Sequence, residues 1–253
     1  MFIKIALEHL DCQKSDIKTN RELISKSLEK AMVAGAQLFV TPELALCGYY
    51  FNEDIGTSWI EVQPDDFAKS LAAKAAYNNT ALMLCTAERL NEKLYNSCLV
   101  FDENGAFLGT HHKIAVQKGS EDWSCAGHTT MAYKIHGINF GVLICADAWR
   151  PHIAQSGREN GVEIFICPSA WPPQPCPPEE CWQKRSAETN TTVLVCNRTG
   201  VEPKLDFRLG ETLLAHCGKT LASVTSEQSC IFIFNWDHQN KKLLGGVERL
   251  PIE

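Results

Sequence analysis

Phe140-Gly141-Val142-Leu143-Ile144-Cys145-Ala146-Asp147 is an apolar run that ends in cysteine, and Trp149-Arg150-Pro151 follows it closely. The run reads as a buried strand, and proline suits the first turn of a helix, so the stretch is a strand leading into a helix. Working outward, the same alternation recurs. Upstream, Phe2–Glu8 has a strand pattern. The apolar residues Ile17, Leu23, Ile24, Leu28, Ala31 and Met32 recur at helical spacing, with Asp16 placed to cap that helix and Gly35 to end it. A short strand over 37–41 closes at Pro42, a helix covers 65–77, and strands follow over 80–87 and 94–101. The turn Asp102-Glu103-Asn104-Gly105 leads into a strand over 106–111. Beyond a polar loop over 117–127, two strands flank Gly137. Downstream come a strand over 162–167, a proline-rich loop over 168–178, a helix over 182–190 and strands over 192–196, 210–216, 220–224 and 230–235. No linker or composition break interrupts this order. It predicts one α/β domain, residues 1–253, with a mixed sheet.

Composition narrows the function. The 24 Lys+Arg against 30 Asp+Glu give a formal net charge of −6, without the basic footprint of a nucleic-acid binder. Hydrophobic residues make up 45% of the chain, enough for a folded core, yet no apolar run approaches the roughly 18 residues of a membrane span. The N-terminal stretch lacks the pattern of a signal peptide and reads as a first strand, so the expectation is a cytoplasmic protein. Twelve cysteines are then mostly packing thiols rather than a disulfide framework. Cys176-Pro177-Pro178-Glu179-Glu180-Cys181 is the tight cysteine group, and it lacks a second close pair or a histidine in ligand spacing. No metal is expected.

Three segments place an ionisable residue just past a strand, where open α/β sheets bind ligands. Glu43 follows Phe39-Val40-Thr41-Pro42, Lys113 follows His111-His112, and Cys145 ends the run quoted above. A cysteine beside a helix N-terminus is favoured as thiolate. Nucleophilic thiol chemistry needs a base for its proton and a cation or donor pair for the oxyanion, roles that Glu43 and Lys113 suit. Taken singly, Cys145 reads more readily as a buried thiol, Glu43 as a surface loop carboxylate and Lys113 as a solvated strand-end charge.

Together, Thr41-Pro42-Glu43-Leu44-Ala45-Leu46-Cys47-Gly48-Tyr49, the strand-end Lys113 and Val142-Leu143-Ile144-Cys145-Ala146-Asp147 resemble the carbon–nitrogen hydrolases of the nitrilase superfamily. The similarity extends from the first strand to about Asp237 and includes Arg185, Ala187 and Glu188 and the segment Val195-Cys196-Asn197-Arg198-Thr199-Gly200. The resemblance implies an α-β-β-α sandwich with mixed sheets, in which two subunits pack their sheets together, and hence a homodimer or higher homo-oligomer. It also implies a Glu–Lys–Cys triad without a cofactor. Cys145 would be the nucleophile and Glu43 the general base. Lys113 would be the cation at the oxyanion, assisted by the backbone N–H of Ala146. Glu121, in the loop after the lysine, would orient that lysine and the leaving group.

The reaction so implied cleaves a small amide or carbamoyl compound through a cysteine thioester. Asp147-Ala148-Trp149-Arg150-Pro151 and Gly48-Tyr49-Tyr50-Phe51-Asn52-Glu53-Asp54 resemble the glutaminase part of glutamine-dependent NAD synthetases. The chain lacks a Gly-rich nucleotide loop and a synthetase domain, so a stand-alone amidase is the expectation. Tyr49, Trp149 and Trp171 are candidate pocket walls, and Arg150 is a candidate for a substrate carboxylate or, equally, a solvated charge. Three alternatives stand beside the amidase. A nitrilase is disfavoured because Ala146-Asp147 replaces the Trp-Glu usual after the cysteine in that branch. A non-catalytic binding protein on the same scaffold is disfavoured because the three triad residues are all retained. A Cys–His protease would depend on a histidine rather than on Glu43 or Lys113.

Overall fold

The fold follows from a two-residue alternation repeated in four strands. In Phe2–His9, Leu38–Val40, Ala81–Leu90 and Lys93–Phe101, one set of side chains (Ile5, Leu7, Val40, Met83, Val100) enters a core shared with a second sheet. The alternate set (Ala6, Phe39, Leu82, Leu84, Leu99) packs against helices Ile17–Val33 and Asp66–Ala76. A strand whose faces are both buried has no polar side to show, which is why these segments read as nearly continuous apolar runs. The computed structural model describes residues 1–173 and 180–252.

Among the described residues the strands form two large sheets. The first runs, in spatial order, Lys242–Leu243, Cys230–Asp237, Phe2–His9, Leu38–Val40, Ala81–Leu90, Lys93–Phe101 and Phe107–His112, with Glu248–Pro251 also pairing to Cys230–Asp237. The second runs Lys219–Val224, Thr212–His216, Thr192–Asn197, Ile164–Ser169, Ile138–Val142 and Tyr133–Ile135. Helices Pro151–Glu159 and Cys181–Thr189 cover the second sheet. Phe165 meets Gly157 so closely that a β-carbon there would lie 2.7 Å from its ring.

The layers are therefore helix, sheet, sheet, helix, as the resemblance implies. Three expectations need correcting. The strand and helix periods predict one mixed sheet, but the chain changes sheets between Phe107–His112 and Tyr133–Ile135. Period reports which residues are buried and not against which sheet they lie. The facing sheets also belong to one chain, so the sandwich does not require a second subunit. The loop expected over 168–178 begins later than supposed: Pro168 and Ser169 still pair with Cys196 and Asn197. Residues 174–179, with Cys176 among them, lie outside the described residues.

Helix ends follow local chemistry. Asp16 Oδ1 accepts the Thr19 amide at 3.0 Å and Asp65 Oδ1 the Ala68 amide at 2.8 Å, each satisfying an orphan donor of the first turn. Gly35, at φ +76, turns the chain out of the first helix in the left-handed conformation that glycine adopts without strain. No helix among the described residues is long and apolar enough to cross a membrane.

Candidate active site

Glu43 and Cys145 sit at matching places in the two sheets. Each lies three residues beyond a short parallel strand, Leu38–Val40 in the first sheet and Ile138–Val142 in the second. Lys113 continues the edge strand Phe107–His112, and its backbone N–H donates to Asn96 O at 2.8 Å. Facing sheets thus bring residues 43, 113 and 145 toward one space.

The carboxylates and the lysine form a compact, fully buried group. Lys113 Nζ donates to Glu43 Oε1 at 2.6 Å and to Glu121 Oε1 and Oε2 at 2.7 and 2.9 Å. Glu121 is fixed further by the Gln117 amide at 2.6 Å, and Glu43 Oε2 accepts the Ala170 amide at 2.9 Å. Burial opposes the Lys113 charge, but the Glu43 and Glu121 carboxylates outweigh it and hold the ammonium well above the usual lysine range. Burial raises the Glu121 acid above the usual carboxylate range, Lys113 pulling the other way and Glu43 adding to the rise.

Cys145 opens a short 3-10 helix, Cys145–Trp149, with φ +46, a conformation that costs a non-glycine residue energy and persists only where neighbours enforce it. Its side chain is 7% exposed. Burial pushes the thiol well above its ordinary range and the Glu43 carboxylate adds to this, while Lys113 opposes. The expectation of a thiolate stabilised by a helix N-terminus is therefore overturned. The local helix is five residues long, and desolvation of the thiol dominates. Cys145 rests as a thiol, and any nucleophilic role requires a base.

Tyr49 joins this group. Its ring centroid lies 5.9 Å from Lys113 Nζ, and its hydroxyl hydrogen-bonds Ser120 Oγ at 3.2 Å. The loop carrying it is clamped from below: Glu202 Oε1 and Oε2 accept the Tyr49 and Tyr50 amides, each at 2.8 Å, and Glu202 pairs with the buried Arg198. Trp171 packs edge-on to Trp149, with centroids 5.6 Å apart, in the same apolar cluster as Cys145. Ala146 is buried next to the thiol. Arg150 is exposed at the junction of the 3-10 helix and helix Pro151–Glu159, so its charge stands apart from the buried group.

Two site residues escape the sequence reading. Asn96 Nδ2 donates to Glu43 Oε1 and to Glu121 Oε1, both at 2.8 Å, so one amide bridges two carboxylates. The signal was the polar triplet Tyr95-Asn96-Ser97 interrupting an otherwise apolar strand, all of it buried. Asp147, which enters the sequence reading as part of the motifs after Cys145 and without a role of its own, is fully buried and accepts four hydrogen bonds. His111 lends one of these, whereas His112 stacks on Tyr95 and faces Glu88. Among the described residues no group of His, Cys, Asp and Glu could hold a metal ion.

Comparison with known proteins agrees with this layout. A family model described as carbon-nitrogen hydrolase matches residues 4–237. A probable nitrilase from Schizosaccharomyces pombe is 23% identical, over 96% of this chain and 92% of that protein. A citrullinase from Francisella tularensis is 26% identical, over 81% of this chain and 77% of that protein. Among solved structures, a double mutant of the amidase from Nesterenkonia sp. AN1 in complex with acrylamide superposes with a TM-score of 0.82. It is 21% identical and covers 94% of this chain and 92% of its own, a likeness of fold. With its layers, its strand-end residues and a family match across most of its length, the chain belongs to the carbon–nitrogen hydrolases of the nitrilase superfamily.

Proposed function

We propose that this hydrolase cleaves a small amide or carbamoyl compound through a thioester on Cys145, using Glu43 and Lys113 as its partners. The observation that carries the reading is the buried group in which Lys113 is held by both Glu43 and Glu121, set against a thiol that burial keeps protonated. A protonated thiol is a weak nucleophile, so the carboxylate of Glu43 has to take its proton as sulfur attacks the carbonyl carbon. The C=O electron pair moves to oxygen, where the Lys113 ammonium and the Ala146 N–H hold the developing charge. One such donor is worth about 2.7–4 kcal/mol in comparable sites. Glu43 then returns the proton to the leaving nitrogen, the C–N bond breaks and the thioester remains. Water, deprotonated by Glu43, releases the acid and restores the thiol.

Glu121 holds the ammonium in place through both of its oxygens and, with Asn96, keeps Glu43 aligned. Tyr49, Trp149 and Trp171 are the aromatic walls of the substrate pocket in this reading, which suits a pocket that is mostly apolar with a few polar anchors. The exposed Arg150 is left as a solvated charge. The nearby family members support an amide or ureido substrate: one solved relative is an amidase in complex with acrylamide, and one curated relative is a citrullinase. A homodimer in the cytoplasm belongs to the same proposal.

The test is ammonia release by the purified protein from a panel of small amides, N-carbamoyl compounds, glutamine and nitriles, with Cys145→Ala as the blank. Turnover of an amide or carbamoyl compound that vanishes in Cys145→Ala is the expected result. Turnover that survives the substitution, or that is confined to nitriles, overturns the reading.

A further inference from the structure

Asp147 is the residue through which the second sheet holds the first at the site. Its carboxylate is completely buried and takes four hydrogen bonds from two separate stretches of chain, 111–115 and Ile144. Oδ1 accepts the Ile114 and Ala115 amides at 2.9 and 2.7 Å. Oδ2 accepts the Ile144 amide at 2.9 Å and His111 Nε2 at 2.9 Å. A carboxylate only accepts, so His111 carries its proton on Nε2. The Asp147 amide in turn donates to Ile144 O at 2.9 Å, closing a ring around the strained backbone that carries Cys145.

The placement of these donors is what gives the carboxylate its meaning. Ile114 and Ala115 are the two residues after Lys113, His111 lies two before it, and Ile144 immediately precedes Cys145. One oxygen therefore grips the chain leaving the lysine. The other grips both the chain entering the cysteine and the strand below the lysine. We propose that Asp147 is a positioning residue that fixes the separation between the Cys145 thiol and the Lys113 ammonium. It is the short carboxylate that four converging donors require at this place. The proposal rests on the Cys145 and Lys113 roles given above. In that mechanism the oxyanion forms between these two side chains, and a displacement of about 1 Å can cost on the order of 100-fold in rate.

Substitution separates this from a role in stability alone. Asp147→Asn keeps the shape, removes the charge and offers one accepting oxygen where four donors converge on two. Asp147→Glu keeps the charge but adds a methylene to a filled space. His111→Leu deletes one of the four arms, and His111→Gln restores a side-chain donor. Each variant is compared with the wild type by thermal melting, by kcat and KM on an amide turned over in the ammonia assay, and by the rate at which iodoacetamide alkylates Cys145. That reaction forms a C–S bond, expels iodide and passes the thiol proton to the base. It therefore reports on the nucleophile even before a substrate is known. The exposed Cys125 and Cys217 serve as internal controls.

The expected result is that Asp147→Asn and Asp147→Glu lower kcat and Cys145 alkylation by about 100-fold, with KM and the control cysteines unchanged. His111→Leu is expected to lower both rates by about fivefold, and His111→Gln to recover most of that loss. A folded Asp147→Asn with both rates within about threefold of the wild type overturns the proposal. Should Asp147→Asn fail to fold, the histidine pair decides: equal rates in His111→Leu and His111→Gln overturn it, and a gap supports it. Failure of the underlying reading shows separately, as turnover that survives in Cys145→Ala whatever the Asp147 variants do.

Discussion

Two regions on the first sheet bury glutamate completely, and they give it different partners. At the strand ends, Glu43 and Glu121 share one ammonium and one bridging amide, so three ionisable side chains sit fully buried in a connected set of hydrogen bonds. On the strand Phe2–His9, Glu8 points toward helix Ile17–Val33, and neither of its oxygens makes a hydrogen bond. Burial pushes the Glu8 acid up to about 8, with the nearby Ser27 hydroxyl offsetting part of the rise. The difference is one of partners, since both regions are equally buried. Where a cation and donors are built in, the Lys113 ammonium and the hydrogen bonds offset part of the rise that burial forces on Glu121. Where they are missing, the side chain gives up its charge and becomes a neutral packing element.

Removing the partner should turn the first region into the second. Lys113→Met leaves two buried carboxylates facing each other, and breaking a buried pair in this way costs about 3–5 kcal/mol of stability. In the proposed mechanism the ammonium also holds the oxyanion, so turnover is expected to fall by about 1000-fold. Thermal melting and the ammonia assay read the two effects on one preparation. A variant that melts like the wild type would show that the pair is not the electrostatic centre of the site. A variant that keeps even a tenth of the activity would break the comparison itself.

A gentler substitution tests the bridge rather than the cation. Asn96→Leu takes one donor from each carboxylate while leaving Lys113 in place, and a buried acceptor left short of a partner costs about 1–3 kcal/mol. The raised Glu121 acid should then rise further, because a bond to its charged form is lost. Glu121 holds Lys113 only when ionised, so activity is lost as pH falls through the pKa of this acid. The acid limb of the pH–rate profile should accordingly move to higher pH in Asn96→Leu, with kcat lower by about 10- to 100-fold. An acid limb that stays where it is would mean that Asn96 packs beside the carboxylates without supporting them.

How much of this was legible beforehand depends on the range of the interaction. Glu43, Lys113 and Cys145 each announce themselves locally, by standing just past a strand, and the strands announce themselves by their period. What joins the three is not local. The Asn96 bridge spans 53 residues to Glu43, the Ala170 amide reaches the same carboxylate across 127, and the Asp147 contacts with the lysine segment span 32 to 36. Sheet membership was hidden for the same reason, since period shows that a face is buried but not what it meets. The resting state of Cys145 is not legible locally, because a helix terminus is visible in the sequence and desolvation is not. Short pieces were also lost: the helical turn Asn52–Ile55 and the strands Lys242–Leu243 and Glu248–Pro251 are too brief to show a period.

The smallest effect on turnover, and the converse of the first, concerns Glu8. Its acid lies at about 8 in the folded chain against an ordinary 4.5, so the folded state keeps a proton that the unfolded state releases. Below pH 4.5 both states are protonated and the group costs nothing through its charge. As pH rises from there, the unfolded state is favoured increasingly, up to about pH 8, where the folded state ionises too. At pH 7 this amounts to about 3 kcal/mol of lost stability. Glu8→Gln carries no charge in either state and removes the dependence while keeping the shape. Its stability relative to the wild type, measured by denaturant unfolding, should therefore be near or below zero at pH 4.5 and grow steadily toward pH 8. The gain is expected without change in turnover, because Glu8 lies on the helix side of the sheet. A difference that is the same at both pH values would mean that Glu8 is already ionised in the folded protein. The contrast between a partnered and an unpartnered carboxylate would then have to be sought in packing rather than in protons.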